Sequence, residues 1–499
     1  MDFLSFLLCF LFTLTLVQVL SSIGRGTKKG AGRLPPGPTP LPIIGNLLKL
    51  GNEPHKSLAV LAKTHGPIMT LRLGQITTVV ISSSAMAREI LQKQDLLFSN
   101  RSIPDALQAH NQSQLSVVWL PVSTRWRNLR KILNSHIFSG HRLDAKQQLR
   151  SQKVEELIAY VHKSCQAGVA VDIGRAAFRT TLNLLSNTIF SEDLTDTSSD
   201  TAQEFKELVW GIMEEAGKPN LVDYFPVLRK FDPLGIRHRM TIHFGKMIEL
   251  FNHMINGRLK LRRLQSCITN NDVLDTLLNI SETNPDEIDQ VHIERMLLDL
   301  FAAGTETTSS TLEWAMAEIL HNPETLLKAK AELDQILGKG NLVQESDIAS
   351  LPYLQAIVKE TFRLHPPVPF LIPRKVDANV EVCGYKVPKD AQVLVNVWAI
   401  GHDPSTWINP NSFMPERFLG TEIDVRGHDF ELIPFGGGRR ICPGLPLAIR
   451  MVHLMLASLI NSFDWKLEDG IFPKEMNMEE KFGITLQRAQ PLRAVPVHV

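Results

Sequence analysis

The chain has 499 residues, of which 44% are hydrophobic and 21% are charged, a globular balance with enough apolar residues for a large core. Its 53 basic and 52 acidic residues give a formal net charge of +1, without the basic excess of a nucleic-acid-binding protein. The five cysteines include no CxxC pair and form an odd, sparse set unlike a disulfide framework, which indicates that most of the chain lies in a reducing compartment.

The N-terminal stretch Phe3–Leu20 is almost wholly apolar and carries no charge. As a helix it would reach roughly 27 Å, close to the bilayer core of about 30 Å. By the positive-inside rule, the basic residues after the stretch keep the following chain in the cytosol. We therefore predict a single-pass signal-anchor helix over residues 3–20. A cleaved secretory signal is less favoured, because the charge before the stretch, Asp2, is negative.

A basic and proline-rich segment over residues 21–42 follows the apolar stretch. Its prolines, beginning in Leu34–Pro38, fix the backbone and remove amide donors, so the segment is predicted to be a stiff hinge. Residues 43–499 show no internal repeat and no second break in composition. They are predicted to form one domain.

Periodicity predicts that this domain is mainly α-helical with a minor β region. β-Branched and apolar residues interrupted by Gly74 predict a hairpin over residues 67–82. Short strands are predicted over 380–387 and 393–397. Helical spacing of apolar residues predicts helices over 85–92, 151–163, 205–216, 292–321, 353–364 and from 446 to about 463.

The strongest functional signal is the string Phe435–Gly444, which reads FGGGRRICPG. Consecutive glycines let the backbone approach a flat ligand closely, and Arg440 is placed to pair with a carboxylate. Cys442 precedes a helix start, where N–H groups and the helix dipole stabilise a thiolate. A thiolate ligand pushes electron density onto iron and favours O–O cleavage. The alternative is a glycine-rich turn around an inert, buried cysteine.

This string resembles the haem-binding signature of the cytochrome P-450 family, and the resemblance covers essentially the whole chain. It implies a haem-thiolate monooxygenase with the single large fold of that family, preceded by the transmembrane helix. It also implies that Cys442 is the metal ligand of haem b (iron protoporphyrin IX). Phe435 and Arg440 would then contact the cofactor.

The long predicted helix carries a weakened, polar turn, Ala303–Thr308, at its centre. Glycine costs roughly 0.5–1 kcal/mol relative to alanine in a helix, so Gly304 and the hydroxyl residues after it predict a functional kink. The resemblance implies that Thr307 hydrogen-bonds oxygen at the iron and that Glu306 relays protons, which is general acid assistance. The alternative is a helix whose hydroxyls bond back to its own carbonyls.

Glu360 and Arg363 form an acid–base pair at i,i+3 spacing on a predicted helix. Such a pair is worth only about 0.2–0.5 kcal/mol when exposed, and it is common. The resemblance implies instead that the two residues form a buried network with Arg417, which makes them structural rather than catalytic.

Trp126 and Arg130, at i,i+4 spacing, share a face of a basic helical stretch. The resemblance implies that both contact the haem propionates, with Arg374 as a further candidate. The alternative is a solvated basic helix that docks the electron donor.

The electrons must come from a partner, because no stretch combines a strand, GxGxxG and a helix as a dinucleotide site requires. The resemblance implies NADPH–cytochrome P-450 reductase as this partner. It also places both proteins on the cytosolic face of the endoplasmic reticulum membrane.

The substrate pocket is predicted to be apolar. The residues that border the substrate by resemblance are Phe301, Ala303, Val368, Phe370, Leu371, Ile372 and Ile484. Asp299 lies on the helical face of Ala303 and Thr307. It either anchors a substrate hydroxyl or belongs to a polar network, and the network is favoured.

A closer resemblance to plant microsomal monoterpenoid hydroxylases rests on four stretches: LPPGP, VVWLP from Val117, AGTETTSSTLEWAM and HPPVPFLIPRKV. It implies NADPH- and O2-dependent hydroxylation of a monoterpene alcohol, geraniol or nerol, at a terminal allylic methyl. One alternative is a related monooxygenase acting on diterpenes, phenolics or foreign compounds. Another is a non-catalytic haem protein, such as an electron carrier or gas sensor.

Overall fold

The structure is a computed structural model that describes residues 12–13, 33–194, 200–264, 272–338 and 341–498. The predicted membrane helix over residues 3–20 and most of the hinge over 21–42 therefore lie outside the described residues. From residue 33 to residue 40 the proline-rich part of the hinge has no regular secondary structure.

The described chain is mainly α-helical, as the sequence predicts. Several helices begin where a side chain accepts a hydrogen bond from a free amide of the first turn, as Ser123, Asp172 and Asp289 do. The helices are α1 Pro54–His65, α2 Ser84–Arg88, α3 Gln112–Leu115, α4 Thr124–Ile132, α5 Gly140–Ala145, α6 Gln147–Ala167, α7 Ile173–Phe190, α8 Asp200–Gly217, α9 Leu221–Tyr224, α10 Ile236–Leu264, α11 Val273–Thr283, α12 Gln290–His321, α13 Pro323–Leu337, α14 Pro352–Leu364, α15 Val397–Gly401 and α16 Leu445–Ser462.

The minor β region consists of small sheets. The strands are β1 Ile68–Leu73, β2 Ile76–Ile81, β3 Asn100–Arg101, β4 Val171–Asp172, β5 Arg374–Lys375, β6 Val380–Val382, β7 Tyr385–Val387, β8 Gln392–Val395, β9 Phe463–Leu467, β10 Glu480–Lys481, β11 Gln487–Arg488 and β12 Arg493–His498. The largest sheet has the order β1-β2-β8-β5-β3, with β2 and β8 parallel. The predicted hairpin is confirmed as the antiparallel pair β1–β2, which turns at Gly74 with φ +56°.

Helix α12 lies at the centre of the fold. It packs against α7, α10, α14 and α16, and most of its residues are buried, including Trp314. One apolar cluster joins α12 to α6, α14 and α16, and a second joins it to α4, α7 and α10. Because α12 is enclosed on these sides, its central turn is held at a fixed place in the interior.

The predicted kink in α12 does not appear as a break, because the helix is continuous from Gln290 to His321. Its hydroxyls bond back to carbonyls one turn earlier: Thr307 Oγ1 donates to the Ala303 carbonyl at 2.9 Å and Thr308 Oγ1 to the Gly304 carbonyl at 3.1 Å. This is the alternative arrangement that the sequence left open, and it satisfies the hydroxyls within the helix.

Among the described residues, one helix, α16, has the length and apolar composition of a membrane span. Its residues from Met451 to Ile460 are buried against the rest of the fold. We therefore interpret α16 as a core helix that follows the cysteine loop.

Candidate active site

The cysteine loop is a tight turn that depends on glycine. The Cys442 amide donates to the Phe435 carbonyl at 3.0 Å and closes the loop. Gly436 and Gly438 have φ of +72° and +67°, and a Cβ on Gly438 would lie 2.0 Å from the Leu91 carbonyl oxygen. No side chain fits there, so the glycines fix the path of the backbone on which Cys442 stands.

A cavity of about 260 Å³ lies between this loop and the central turn of α12. The structure brings all six predicted cofactor residues together in its wall, with Thr307 on the α12 side. The predicted site residues that line this cavity are Trp126, Arg130, Ala303, Thr307, Val368, Leu371, Ile372, Arg374, Phe435, Arg440 and Cys442.

Four arginines line the cavity: Arg101, Arg130, Arg374 and Arg440. Burial and the neighbouring arginines lower the pKa of Arg440 to about 9, and burial lowers that of Arg374 to about 10. Arg374 Nη1 lies 3.6 Å from Asp95 Oδ1. Within the described residues, the Nε atoms of Arg101 and Arg374 have no hydrogen-bond partner. This excess of buried positive charge fits an anionic ligand such as the two propionates of a haem.

Backbone carbonyls hold the central arginine of this group in place. Arg440 donates to the Ser99 carbonyl at 2.8 Å, to the Val117 carbonyl at 3.2 Å and to the Leu120 carbonyl. Its guanidinium lies 4.5 Å from the centre of the Trp126 ring, a cation–π contact. The Trp126 indole N–H also donates to the Val117 carbonyl, at 3.1 Å. Trp126 and Arg440 are therefore fixed before any ligand enters.

Arg101 is a site residue that the sequence reasoning missed. It lies on strand β3, directly opposite Arg374 on β5, and donates to the Ile372 carbonyl at 2.7 Å. The surrounding sequence carries no motif, and only the pairing of two short strands far apart in the chain brings the two arginines together. No local signal predicts this contact.

Arg101→Gln is expected to weaken haem binding about tenfold or more, because a charge-assisted hydrogen bond is lost. The haem-free chain should be no less stable than the wild type, because burial and three other arginines already lower the pKa of Arg101. The measurement is haem loss to excess apomyoglobin, together with denaturation of the haem-free protein. Arg72→Gln, on an exposed arginine of the same sheet, is the control. Unchanged haem retention in Arg101→Gln would contradict the assignment.

The Cys442 thiol faces the cavity. Burial raises its pKa, while the amide of Gly444, the charge of Arg130 and the amide of Leu445 act in the opposite direction. The helix start therefore favours the thiolate, as the sequence predicts, but burial outweighs it in the protein alone. A bound iron ion supplies the positive charge that holds a buried sulfur as thiolate, so the site fits a metal-bound cysteine.

The two predicted catalytic residues of α12 differ in position. Thr307 lines the cavity, whereas Glu306 does not. The Glu306 carboxylate accepts hydrogen bonds from Thr485 Oγ1 at 3.3 Å and from Gln487 Nε2. Burial raises the pKa of Glu306 to about 7. Glu306 can therefore gain or lose a proton near pH 7, but its carboxyl is directed to Thr485 and to Gln487 of β11.

The predicted substrate residues fall into three groups. Ala303, Val368, Leu371 and Ile372 line the cavity above Cys442. Phe370 and Ile484 do not line this cavity but line a second cavity of about 840 Å³. The two cavities share a wall made by Arg101, Val368, Leu371 and Ile372.

Phe301 lines neither of these two cavities. It is 1% exposed and packs against Phe190, with ring centres 5.9 Å apart, and against Phe251 at 5.6 Å. Its ring lies in the apolar cluster formed with α7 and α10, although Gly304 and Thr308, three and seven residues further along α12, line the first cavity. Phe301 is therefore not among the residues that we propose to contact a substrate.

Glu360, Arg363 and Arg417 lie together in the interior. Arg363 Nε and Nη2 bond the two oxygens of Glu360 at 2.7 and 2.8 Å, and Arg417 Nε bonds Glu360 Oε1 at 2.9 Å. Arg363 also donates to the carbonyls of Gly401 and Pro410. The side chains of Glu360 and Arg363 are fully buried and do not line the cavity. The geometry is that of a structural clamp.

Asp299 also lines the cavity, but its carboxylate is occupied by the protein itself. It accepts hydrogen bonds from Gln112 Nε2 at 3.0 Å, Ser116 Oγ at 2.7 Å and the Val117 amide at 2.9 Å. Burial raises its pKa to about 7, and these hydrogen bonds act in the opposite direction. The structure therefore places Asp299 in a polar network, the favoured of the two predicted arrangements.

Comparison with known proteins adds independent information. The sequence matches the family described as Cytochrome P450 over residues 35–492. It is 66% identical to geraniol 8-hydroxylase of Catharanthus roseus over 496 residues, which covers 99% of each chain. It is also 66% identical to geraniol 8-hydroxylase of Swertia mussotii over 494 residues, again 99% of each chain. A geranylhydroquinone 3''-hydroxylase of Arnebia euchroma is 53% identical over 501 residues, covering 100% of this chain and 99% of the relative.

Proposed function

The chain belongs to the cytochrome P450 family, and we propose that it hydroxylates geraniol or nerol at a terminal allylic methyl to give the 8-hydroxy product. The observation that carries this proposal is the 66% identity, over nearly the full length, to geraniol 8-hydroxylases of two different plants. The apolar wall of Val368, Leu371 and Ile372 is compatible with a terpenoid chain.

Haem bound through Cys442 would supply the iron that activates molecular oxygen. One oxygen atom would enter a C–H bond of the substrate, and the other would leave as water with two protons and two electrons. The four arginines that line the cavity would hold the haem carboxylates.

Thr307 lines the cavity, and its hydroxyl, which donates to the Ala303 carbonyl in this structure, would turn from that carbonyl to hold a proton at the cavity surface. Burial raises the pKa of the neighbouring Glu306 to about 7, so it would exchange protons near neutral pH. However, its carboxyl bonds Thr485 and Gln487 and would have to rotate away from them to relay a proton to the cavity.

The electrons come from NADPH through a membrane-bound NADPH–cytochrome P-450 reductase, and haem b is the cofactor. Residues 3–20 anchor the chain in the endoplasmic reticulum membrane with the catalytic domain in the cytosol. The apolar run and the basic residues after it support this orientation.

A second candidate substrate class is supported by one observation. A relative 53% identical over the whole chain is a geranylhydroquinone 3''-hydroxylase, so a change of substrate accompanies moderate divergence. A phenolic or larger terpenoid substrate would use the same haem site, and the apolar residues at the shared wall of the two cavities would then select it. An electron carrier or gas sensor is not favoured, because the chain belongs to the cytochrome P450 family and the apolar residues Val368, Leu371 and Ile372 form part of the cavity wall.

Microsomes that contain this protein and the reductase are expected to convert geraniol to 8-hydroxygeraniol when NADPH is supplied. Geranylhydroquinone is offered in parallel, and mass spectrometry identifies the products. Geraniol should be converted with the higher kcat/KM. Conversion of geranylhydroquinone alone would retain the family and refute the geraniol assignment.

A further inference from the structure

Asp299 connects α12 to one backbone segment, residues 116–118. Ser116 Oγ lies 2.7 Å from each carboxylate oxygen of Asp299, and the Val117 amide donates to Oδ2 at 2.9 Å. Ser116 Oγ in turn accepts the Val118 amide at 3.1 Å. Gln112 Nε2 donates to Oδ1 at 3.0 Å. Both oxygens are therefore bonded within the protein, which leaves little accepting capacity for a substrate hydroxyl.

The same segment is held from its other side by residues of the haem site. The Val117 carbonyl accepts hydrogen bonds from Trp126 Nε1 at 3.1 Å and from Arg440 Nη1 at 3.2 Å. Residues 116–118 thus lie between the Asp299 carboxylate of α12 and two side chains that line the same cavity, Trp126 and Arg440. Val117 and Val118 line the same cavity as Ala303 and Thr307. A displacement of this segment changes the space in which a substrate lies.

We propose that Asp299 is a positioning residue that fixes residues 116–118 as a wall of the substrate cavity and so determines which carbon of the substrate is hydroxylated. This inference rests on the proposed function. An apolar pocket distinguishes substrates that differ by one methylene by only about 10- to 200-fold. We therefore expect the position of hydroxylation on a flexible chain to depend on how rigidly the wall is held. A buried carboxylate is costly unless it is hydrogen-bonded. The buried carboxylate of Asp299 is hydrogen-bonded through both of its oxygens.

Asp299→Ala and Ser116→Ala remove the two ends of the same contact. Ser116→Ala leaves the carboxylate in place, so it distinguishes positioning through the segment from a direct bond between Asp299 and the substrate. Asp299→Asn is the conservative rescue. Its amide can donate to Gln112 Oε1, which has no partner among the described residues, once the Gln112 amide turns over.

Glu313→Ala is the matched control. Glu313 lies on the same helix, is 9% exposed as Asp299 is, and accepts a backbone amide, that of Leu492, at 2.8 Å. It does not line either of the two cavities described above. Loss of general stability should therefore be similar in Glu313→Ala and Asp299→Ala, whereas the cavity should change only in Asp299→Ala.

The first readout is a titration of the purified holoenzyme with 4-phenylimidazole, an apolar ring whose binding is followed in the haem spectrum without turnover. We expect Kd to rise about tenfold in Asp299→Ala and Ser116→Ala, on the scale of a lost charge-assisted hydrogen bond. It should stay near wild type in Glu313→Ala and Asp299→Asn. The second readout is the distribution of hydroxylated products from geraniol, which should broaden in the same two variants and in neither control.

A wild-type Kd and product distribution in both Asp299→Ala and Ser116→Ala would overturn the inference. It would also be overturned if Glu313→Ala changed Kd and product distribution as much as Asp299→Ala does. A broadened distribution in Asp299→Ala but not in Ser116→Ala would show a direct contact with substrate and would also overturn it. If wild-type enzyme leaves geraniol unchanged while the 4-phenylimidazole pattern holds, the proposed substrate is wrong and the positioning role stands.

Discussion

Replacing Cys442 with alanine is expected to remove hydroxylase activity completely, together with the thiolate-specific spectrum of the reduced carbon monoxide complex. Cys442 supplies the sulfur that lines the cavity. The loop itself should keep its shape, because the bond from the residue 442 amide to the Phe435 carbonyl needs no side chain, and Gly438 has no room for a Cβ. The measurement is the reduced carbon monoxide difference spectrum together with haem content.

The control for this substitution is Cys383→Ala. Cys383 is exposed and lies in the turn between β6 and β7, far along the chain from the cysteine loop. This variant should keep the wild-type spectrum. A wild-type spectrum in Cys442→Ala would refute Cys442 as the ligand.

Glu360→Ala is expected to destabilise the fold by about 3–5 kcal/mol and to yield protein largely without haem. The substitution leaves the Arg363 guanidinium buried with no carboxylate, while Arg417 loses the same partner. An uncompensated buried charge is more costly than the loss of the ion pair itself. Denaturant unfolding and the ratio of haem to protein measure the two effects.

Glu468→Ala is the matched control for this prediction. Glu468 also makes two bonds to one arginine, Arg493, but at the protein surface, where solvent screens the pair. Stability and haem content should remain close to wild type. Normal haem content in Glu360→Ala would mean that the clamp is not structural.

Local signals were sufficient where a function depends on residues that are close in the chain. The loop around Cys442, the hairpin β1–β2 and the long helix α12 each carry their determinants within one stretch, as glycines, alternating strand residues or helical spacing. The predicted helix over residues 292–321 differs from α12 by only two residues at its start.

Other features depend on contacts that no local pattern encodes. Arg101 lines the cavity at Cys442 only because β3 pairs with β5. The Glu306 side chain is directed to Thr485 and Gln487, which lie close to the C-terminal end of the chain. Phe301 likewise depends on tertiary packing, because its ring packs against Phe190 and Phe251 and lines neither cavity. Helical spacing alone places it on the face of Thr308, which lines the first cavity.

The segment between α14 and β5 shows a further limit of prediction from sequence. Leu371 adopts a left-handed backbone with φ +52°, which is unfavourable for leucine. Leu371 and Ile372 line the first cavity as well as the second, whereas Phe370 lines only the second. A sequence pattern gives no warning of a strained residue of this type, so the division of these side chains between two cavities was not predictable.

The most direct test of the central claim is hydroxylation of geraniol under oxygen gas labelled with the heavy isotope. The reconstituted system contains the holoenzyme, the reductase and NADPH, and mass spectrometry reads the label and the position of the new hydroxyl. The account predicts a single labelled oxygen atom at carbon 8 of geraniol and no product from Cys442→Ala. An unlabelled hydroxyl, or no product from wild-type protein with an intact haem-thiolate spectrum, would contradict it.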